Sequence, residues 1–382
     1  MTRHPYRTRQ FWLSVIAAAA MLGAVVQAQG GVHATPSVSI SQQYDSNVFS
    51  TPIAPQADFT SRATMGLELE RTSVVWMTSA RYVQDMERFT DHRELSSVAA
   101  RQRGTLAFRY RPSTRTAWSA DAEMWRTGTP SELNEVTGLS VSRASAQRLL
   151  AHSSFNRHLS PVTSGTIDYS VTQDHLAGRT SATTHDAVAA IERHRSARDT
   201  VVVRYRFREF MFTPTATPSF ASTSHAITVG FSRAITRRFE LTVEAGPRLT
   251  NTTPAADVSA SIQYHSVPDL SASYARSQAT AIGFAGVADV QSVNASIGWP
   301  LWSRLRVRLR PGLFRSEMGN AHADAYAMAL DVTRPIAHGV SIDFSASSNV
   351  QRGSLNPGIP NMSIDRHVLL IRLVAGPSSL LW

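Results

Sequence analysis

A period of two is the feature that most restricts what this chain can fold into. Apolar and polar residues alternate through residues 65–70, 105–111, 166–171, 201–208, 227–231, 239–245, 258–264, 304–310 and 340–345. Successive side chains of a strand point to opposite faces, so each run reads as a strand with one apolar and one polar face. Clusters of Pro, Gly, Asn and Ser at 111–113, 251–254, 310–312 and 356–358 punctuate the runs. Their spacing of roughly 20 residues matches one strand of about ten residues plus a connection. No linker or shift in composition divides the chain, which reads as one domain.

The first residues indicate a compartment. Arg3, His4, Arg7 and Arg9 precede an apolar run at 11–26, and Val26-Gln27-Ala28 places small residues where a leader would be cut. That is the layout of a secretory signal peptide, expected at 1–28, with 29–382 as the mature domain. The apolar run falls short of the roughly 20 residues of a spanning helix, and no later apolar window is long enough. Without spanning helices, only a closed barrel satisfies every backbone group in lipid. The expected fold is therefore all-β: a transmembrane antiparallel up-and-down β-barrel of about 16–18 strands in the cell outer membrane. A soluble sandwich would need longer, fully apolar core runs, which are scarce. Trp76, Tyr82, Phe108, Tyr110, Trp118, Trp125, Trp299 and Trp302 are expected near strand ends, as interface girdles. Trp382 supplies the aromatic terminus that such barrels present to the barrel assembly machinery, although Gly376-Pro377-Ser378 interrupts the alternation before it.

Only 42% of residues are hydrophobic, which suits walls where every second residue meets lipid. With no cysteine, disulfides, thiolate nucleophiles and zinc–sulfur sites are excluded. Every Lys/Arg position is Arg; the net charge is +10, and losing Arg3, Arg7 and Arg9 with the leader takes three away to leave +7. That excess permits anionic partners such as lipopolysaccharide phosphates or acidic polysaccharide. Two arginine rows stand out: Arg204, Arg206 and Arg208, and Arg304, Arg306, Arg308 and Arg310. Facing lipid near the midplane, each would cost up to about 2–4 kcal/mol, so the rows are expected in the lumen or beyond the membrane. There they form a cationic, substrate-binding pore wall, or pair with Glu68, Glu70, Asp121, Glu123, Glu240 and Glu244.

Catalytic constellations are weak. His152 and Ser154 share a strand face, a pairing similar to that of outer-membrane phospholipase A, which would make Ser154 a nucleophile and His152 its base. Asn156 lies two residues on, whereas the third member in that family stands farther away. Asp365 and His367 resemble half of an omptin protease site, but the second acidic pair has no counterpart. His185, Glu192 and His194 are the nearest approach to a metal cluster and lack a further ligand. No Gly-rich phosphate loop occurs. No catalytic residue, metal, cofactor or nucleic-acid partner is expected.

The segment Tyr44-Asp45-Ser46-Asn47-Val48-Phe49 resembles the signature that opens barrels of the beta-barrel porin-2 family. The resemblance implies an outer-membrane role connected with secreted exopolysaccharide, as a conduit or an accessory to export components. Tyr44 suits an interface belt, and Asp45, Ser46 and Asn47 suit a turn, because short polar side chains bond their own backbone. Three readings follow: a porin-like conduit favouring anions, a barrel that scaffolds envelope partners without transport, and a phospholipase-like enzyme.

Overall fold

A computed structural model describes residues 26–28, 31–215, 218–302, 304–356 and 362–376. The expected leader lies outside these, except for the short β1 (Val26–Ala28), as does Trp382. Eighteen long strands follow β1. They are β2 (Val32–Asp45), β3 (Asp58–Thr72), β4 (Trp76–Phe89), β5 (Ser97–Ser113), β6 (Thr116–Thr127) and β7 (Ala146–Ser160). Next come β8 (Thr163–Leu176), β9 (Ser181–His194), β10 (Asp199–Thr213), β11 (Phe220–Ala234), β12 (Phe239–Thr250) and β13 (Thr253–Tyr264). The circuit ends with β14 (Asp269–Thr280), β15 (Val287–Trp302), β16 (Leu305–Met318), β17 (Ala321–Ala337), β18 (Val340–Ser354) and β19 (Ser363–Ala375).

Each long strand pairs antiparallel with the next, and β19 returns to β2 from Val368↔Asp45 to Ala375↔Val38. The sheet closes as an up-and-down barrel of eighteen strands, within the expected range. One end carries short turns such as 114–115 and 338–339; the other carries long connections, chiefly 46–57 and 128–145. By the asymmetry of outer-membrane barrels the long connections face outward from the cell. The start of β2 and the end of β19 both lie at the short-turn end.

Outward residues such as Leu106, Ile167, Ile227 and Ile371 are more than half exposed, and similar side chains ring the whole wall. A water-soluble protein does not carry an apolar belt of that size, so this is a barrel of the outer membrane. Near the short-turn end Trp76, Tyr110, Trp118 and Phe155 stand opposite one another on successive strands, forming part of an aromatic girdle. Trp125 departs from the girdle expectation: it faces the lumen, with the Arg103 guanidinium 4.7 Å from its ring centroid. The cluster 310–312 is also no turn, since it lies inside β16. The ladder to β15 pairs Asn294 with Gly312 and Ile297 with Leu309 and skips Pro311, which has no N–H to give.

The connection 128–145 folds back into the barrel, beginning with a short 3-10 turn (Pro130–Leu133). Its Leu139 packs against Ala281, Ala288, Val290, Ala323 and Leu355, while Leu133 and Val141 pack against Leu176 and Ile282. The Ile282 N–H donates to Asn134 Oδ1 (2.8 Å), the Ser140 N–H to Gln351 Oε1 (2.7 Å) and Asn349 Nδ2 to the Gly138 carbonyl (3.3 Å). Most of these partners sit on β15, β17, β18 and the 281–286 connection, about half the ring away from β6 and β7. Burying Leu139 alone contributes about 1.5–3 kcal/mol. Gly138, at φ +64°, lies against the Phe314 ring, where a Cβ would come within 2.5 Å. Eighteen strands leave an aqueous lumen, and this connection narrows its outer half.

Candidate functional site

The inward faces of β2–β6 and β18–β19 enclose a lumenal cavity of about 390 Å³. Strand alternation places its side chains: Arg62 and Thr64 point in while Met65 points out, and Arg101 and Arg103 flank an outward Gln102. Closure of the barrel then sets Arg366 and Arg372 of β19 beside β2 and β3. Six guanidiniums line the cavity (Arg62, Arg81, Arg101, Arg103, Arg366, Arg372) against two carboxylates, Asp85 and Glu132. Trp125, Ser41, Gln43, Ser345 and Ser347 share the wall with apolar Val83, Val368 and Leu370.

The remaining counter-charges stand behind the guanidiniums. Buried Glu87 lies 2.7 Å from Arg62, 3.5 Å from Arg143 and 3.9 Å from Arg101. Arg366 meets buried Asp45 at 2.6 Å, Arg372 meets buried Asp343 at 3.1 Å, and Arg103 meets Glu123 at 2.6 Å. Arg101 also pairs with Glu132, and with Arg143–Glu87 this straps both ends of the infolded connection to the wall. Burial pulls the Arg143 guanidinium below its ordinary range, with Glu87 acting against it; it stays charged. The Nε/Nη2 edges of Arg62, Arg366 and Arg372 are taken by Glu87, Asp45 and Asp343, so the wall presents positive charge beside an indole face and hydroxyls.

The segment 44–49 builds the outer edge of this region. The Asn47 N–H donates to Asp45 Oδ1 (3.0 Å), Asn47 Nδ2 donates to the Thr51 carbonyl (2.9 Å), and the Thr51 N–H returns to Asn47 Oδ1 (3.1 Å). The His367 N–H donates to Ser46 Oγ (2.8 Å), and Val48 is buried. Tyr44 packs on Phe59, with ring centroids 5.1 Å apart. The Arg143 N–H donates to the Phe49 carbonyl (3.1 Å), joining this turn to the infolded connection.

The arginine rows lie elsewhere on the wall. Arg204 pairs with Glu244, while Arg206 and Arg208 approach Asp186 at 3.4 and 3.3 Å; Arg208 also donates to the Gln278 carbonyl (3.0 Å). Arg310 meets Asp331 at 2.6 Å. Arg306 and Arg308 are exposed and share the strand face of Phe314, which meets Gly138 of the infolded connection; Arg304 stands in the turn before β16. His152 and Ser154 face the lumen, away from lipid, and the His152 ring nitrogens lie 3.0 Å from Asp121 and 3.8 Å from Asp168. Asp365 pairs with Arg352 at 2.6 Å, and His194 lies 3.3 Å from Glu192. Among the described residues no three potential ligands gather around a metal site. Sequence reasoning did not single out Arg62, Arg81, Arg101, Arg103, Arg366 or Arg372; only the Arg101–Arg103 spacing carried a local signal.

No family model and no curated protein matches the sequence. Among solved structures, the chain is similar to the outer membrane channel DcaP of Acinetobacter baumannii, with 10% identity over 93% of this chain and 100% of that one (TM-score 0.45). It is similar to Pseudomonas aeruginosa OpdQ, with 9% identity over 91% and 98% (TM-score 0.46). It is also similar to the siderophore receptor PirA from Pseudomonas aeruginosa, with 7% identity over 90% and 80% (TM-score 0.46).

Proposed function

We propose that this barrel is a porin-like conduit, or an accessory to one, that favours anionic solutes and acidic exopolysaccharide. The lumenal cavity carries the reading: six guanidiniums line it against two carboxylates, and Arg81, Arg101 and Arg103 are less buried than Arg62 and Arg372. The arginine rows on β10 and β16 extend the basic character along the wall and act as further contacts for a passing polyanion. The 44–49 segment supports the exopolysaccharide context through its resemblance to the beta-barrel porin-2 family. Single-channel recording in planar bilayers with a salt gradient tests the proposal. The expected result is an anion-selective reversal potential that moves toward cations in Arg81→Gln/Arg103→Gln; cation selectivity in the unaltered barrel refutes it.

The infolded connection favours a second reading, a barrel closed at rest that scaffolds export components. That reading expects no conductance in the unaltered protein and retention of export components on purification from its own envelope.

A further inference from the structure

The outer wall carries a groove that neither the lumen nor the girdle explains. Across β3–β8 the outward positions Ala80, Gly104, Ala122 and Ala151 lack bulk, while Leu67, Leu106, Met124 and Leu149 stand beside them. The result is an apolar trough of about 640 Å³ in the lipid-facing surface, and a second of about 500 Å³ adjoins it through Leu106, Ala122, Ala151 and Val171. Polar side chains edge the trough toward the long-loop end: Gln102 Nε2 donates to Tyr82 Oη (3.1 Å), Tyr82 Oη to Gln84 Oε1 (3.1 Å) and Gln84 Nε2 to the Val98 carbonyl (2.8 Å).

Two outward arginines stand at the same edge. Arg88 and Arg126 are each the penultimate residue of their strand, β4 and β6, at the long-loop end, and both are exposed. Two other outward arginines on strands near this rim have carboxylate partners: Arg315 meets Glu317 at 2.8 Å and Arg352 meets Asp365 at 2.6 Å. Arg88 and Arg126 have no such partner among the described residues. Gln84, Gln102 and Arg126 are in register across β4–β6, and Arg88 lies four residues farther along β4. Strand spacing and rise then put the two Cα atoms about 16 Å apart.

We infer that this sector binds a phosphorylated, multiply acylated glycolipid of the outer leaflet, of the lipopolysaccharide class. Acyl chains fill the trough, and the headgroup phosphates take the guanidiniums of Arg88 and Arg126, which the protein leaves without counter-charge. Position and charge both select this occupant: the trough faces hydrocarbon, and the free cations stand at the depth where headgroup phosphates begin. The inference depends on the outer-membrane placement and not on the conduit reading.

The test uses the full-length barrel folded in detergent micelles, with deep-rough lipopolysaccharide as probe and its dephosphorylated form and phosphatidylglycerol as comparators. Binding is read by native mass spectrometry and folding by heat-modifiable electrophoretic mobility. Arg88→Gln/Arg126→Gln is expected to weaken lipopolysaccharide binding at least tenfold, and Arg352→Gln to change it less than twofold. Removing the probe's phosphates should reproduce the loss with the unaltered barrel. Gly104→Leu, which fills the trough, should weaken both phosphorylated and dephosphorylated forms; if it does not fold, the arginine pair still decides. Equal binding by the arginine variant, indifference to probe phosphates, or a dimer trapped through Gly104→Cys overturns the inference.

Discussion

Leu139→Ala probes the infolded connection most directly. Leu139 is 1% exposed and meets five small or aliphatic side chains from the far wall, so truncation opens a void that rigid strands cannot fill. Such a change costs about 2–5 kcal/mol. The eighteen-strand ladder does not use this residue, so the loss falls on the balance between the folded-in and released connection. At tenfold per 1.4 kcal/mol, the released fraction should rise by roughly thirty- to several-thousand-fold. Gln351→Ala, which strips the Ser140 N–H of its acceptor, should push the same way by about 1–3 kcal/mol. Two assays read the outcome: single-channel conductance, and protease nicking within 128–145 on intact vesicles. Larger or longer openings together with faster nicking are expected. Unchanged conductance despite faster nicking would show that the connection does not obstruct the lumen.

Other expectations are independent. Asp45→Asn leaves Arg366 without its buried partner and the Asn47 N–H with a weaker acceptor; it should destabilise the barrel by about 3–5 kcal/mol, seen as a lower midpoint in heat-modifiability gels. Ile227→Arg puts a guanidinium on the lipid face at the middle of β11 and should cost about 2–4 kcal/mol in refolding titrations into bilayers. Gly246→Val should block assembly, because even a Cβ there would sit 1.9 Å from the Ile227 carbonyl oxygen; a normally folding variant would contradict the close approach of β11 and β12.

Much of the wall was legible because alternation is a local property. Runs such as 201–208 and 239–245 declare both strand and sidedness without any partner, and each lies inside an observed strand. Pro311 misled as punctuation, since a proline also fits a strand where the ladder to one neighbour is skipped. The infolded connection was not legible. Leu133, Leu139 and Val141 are isolated apolar residues among Thr, Ser, Gly and Asn, and their partners lie far off, Asn134 and Ile282 being 148 residues apart. The lumenal cavity was hidden for a related reason. The arginines of β3, β4 and β5 meet those of β19 only when β19 closes on β2, a pairing no local pattern announces. The arginine rows, by contrast, could be read directly from spacing.

The strands of this barrel show lipid and water by turns, and a cysteine-free chain allows that to be measured without background. Single cysteines placed through Val201–Phe207 of β10 can be scored in proteoliposomes with a water-soluble thiol reagent and a lipid-confined quencher. Even positions, Arg204→Cys and Arg206→Cys among them, should react from water, and odd positions such as Val203→Cys and Tyr205→Cys should respond only to the quencher. Uniform labelling along the strand, or the opposite phase, would contradict a closed wall with its guanidiniums inside.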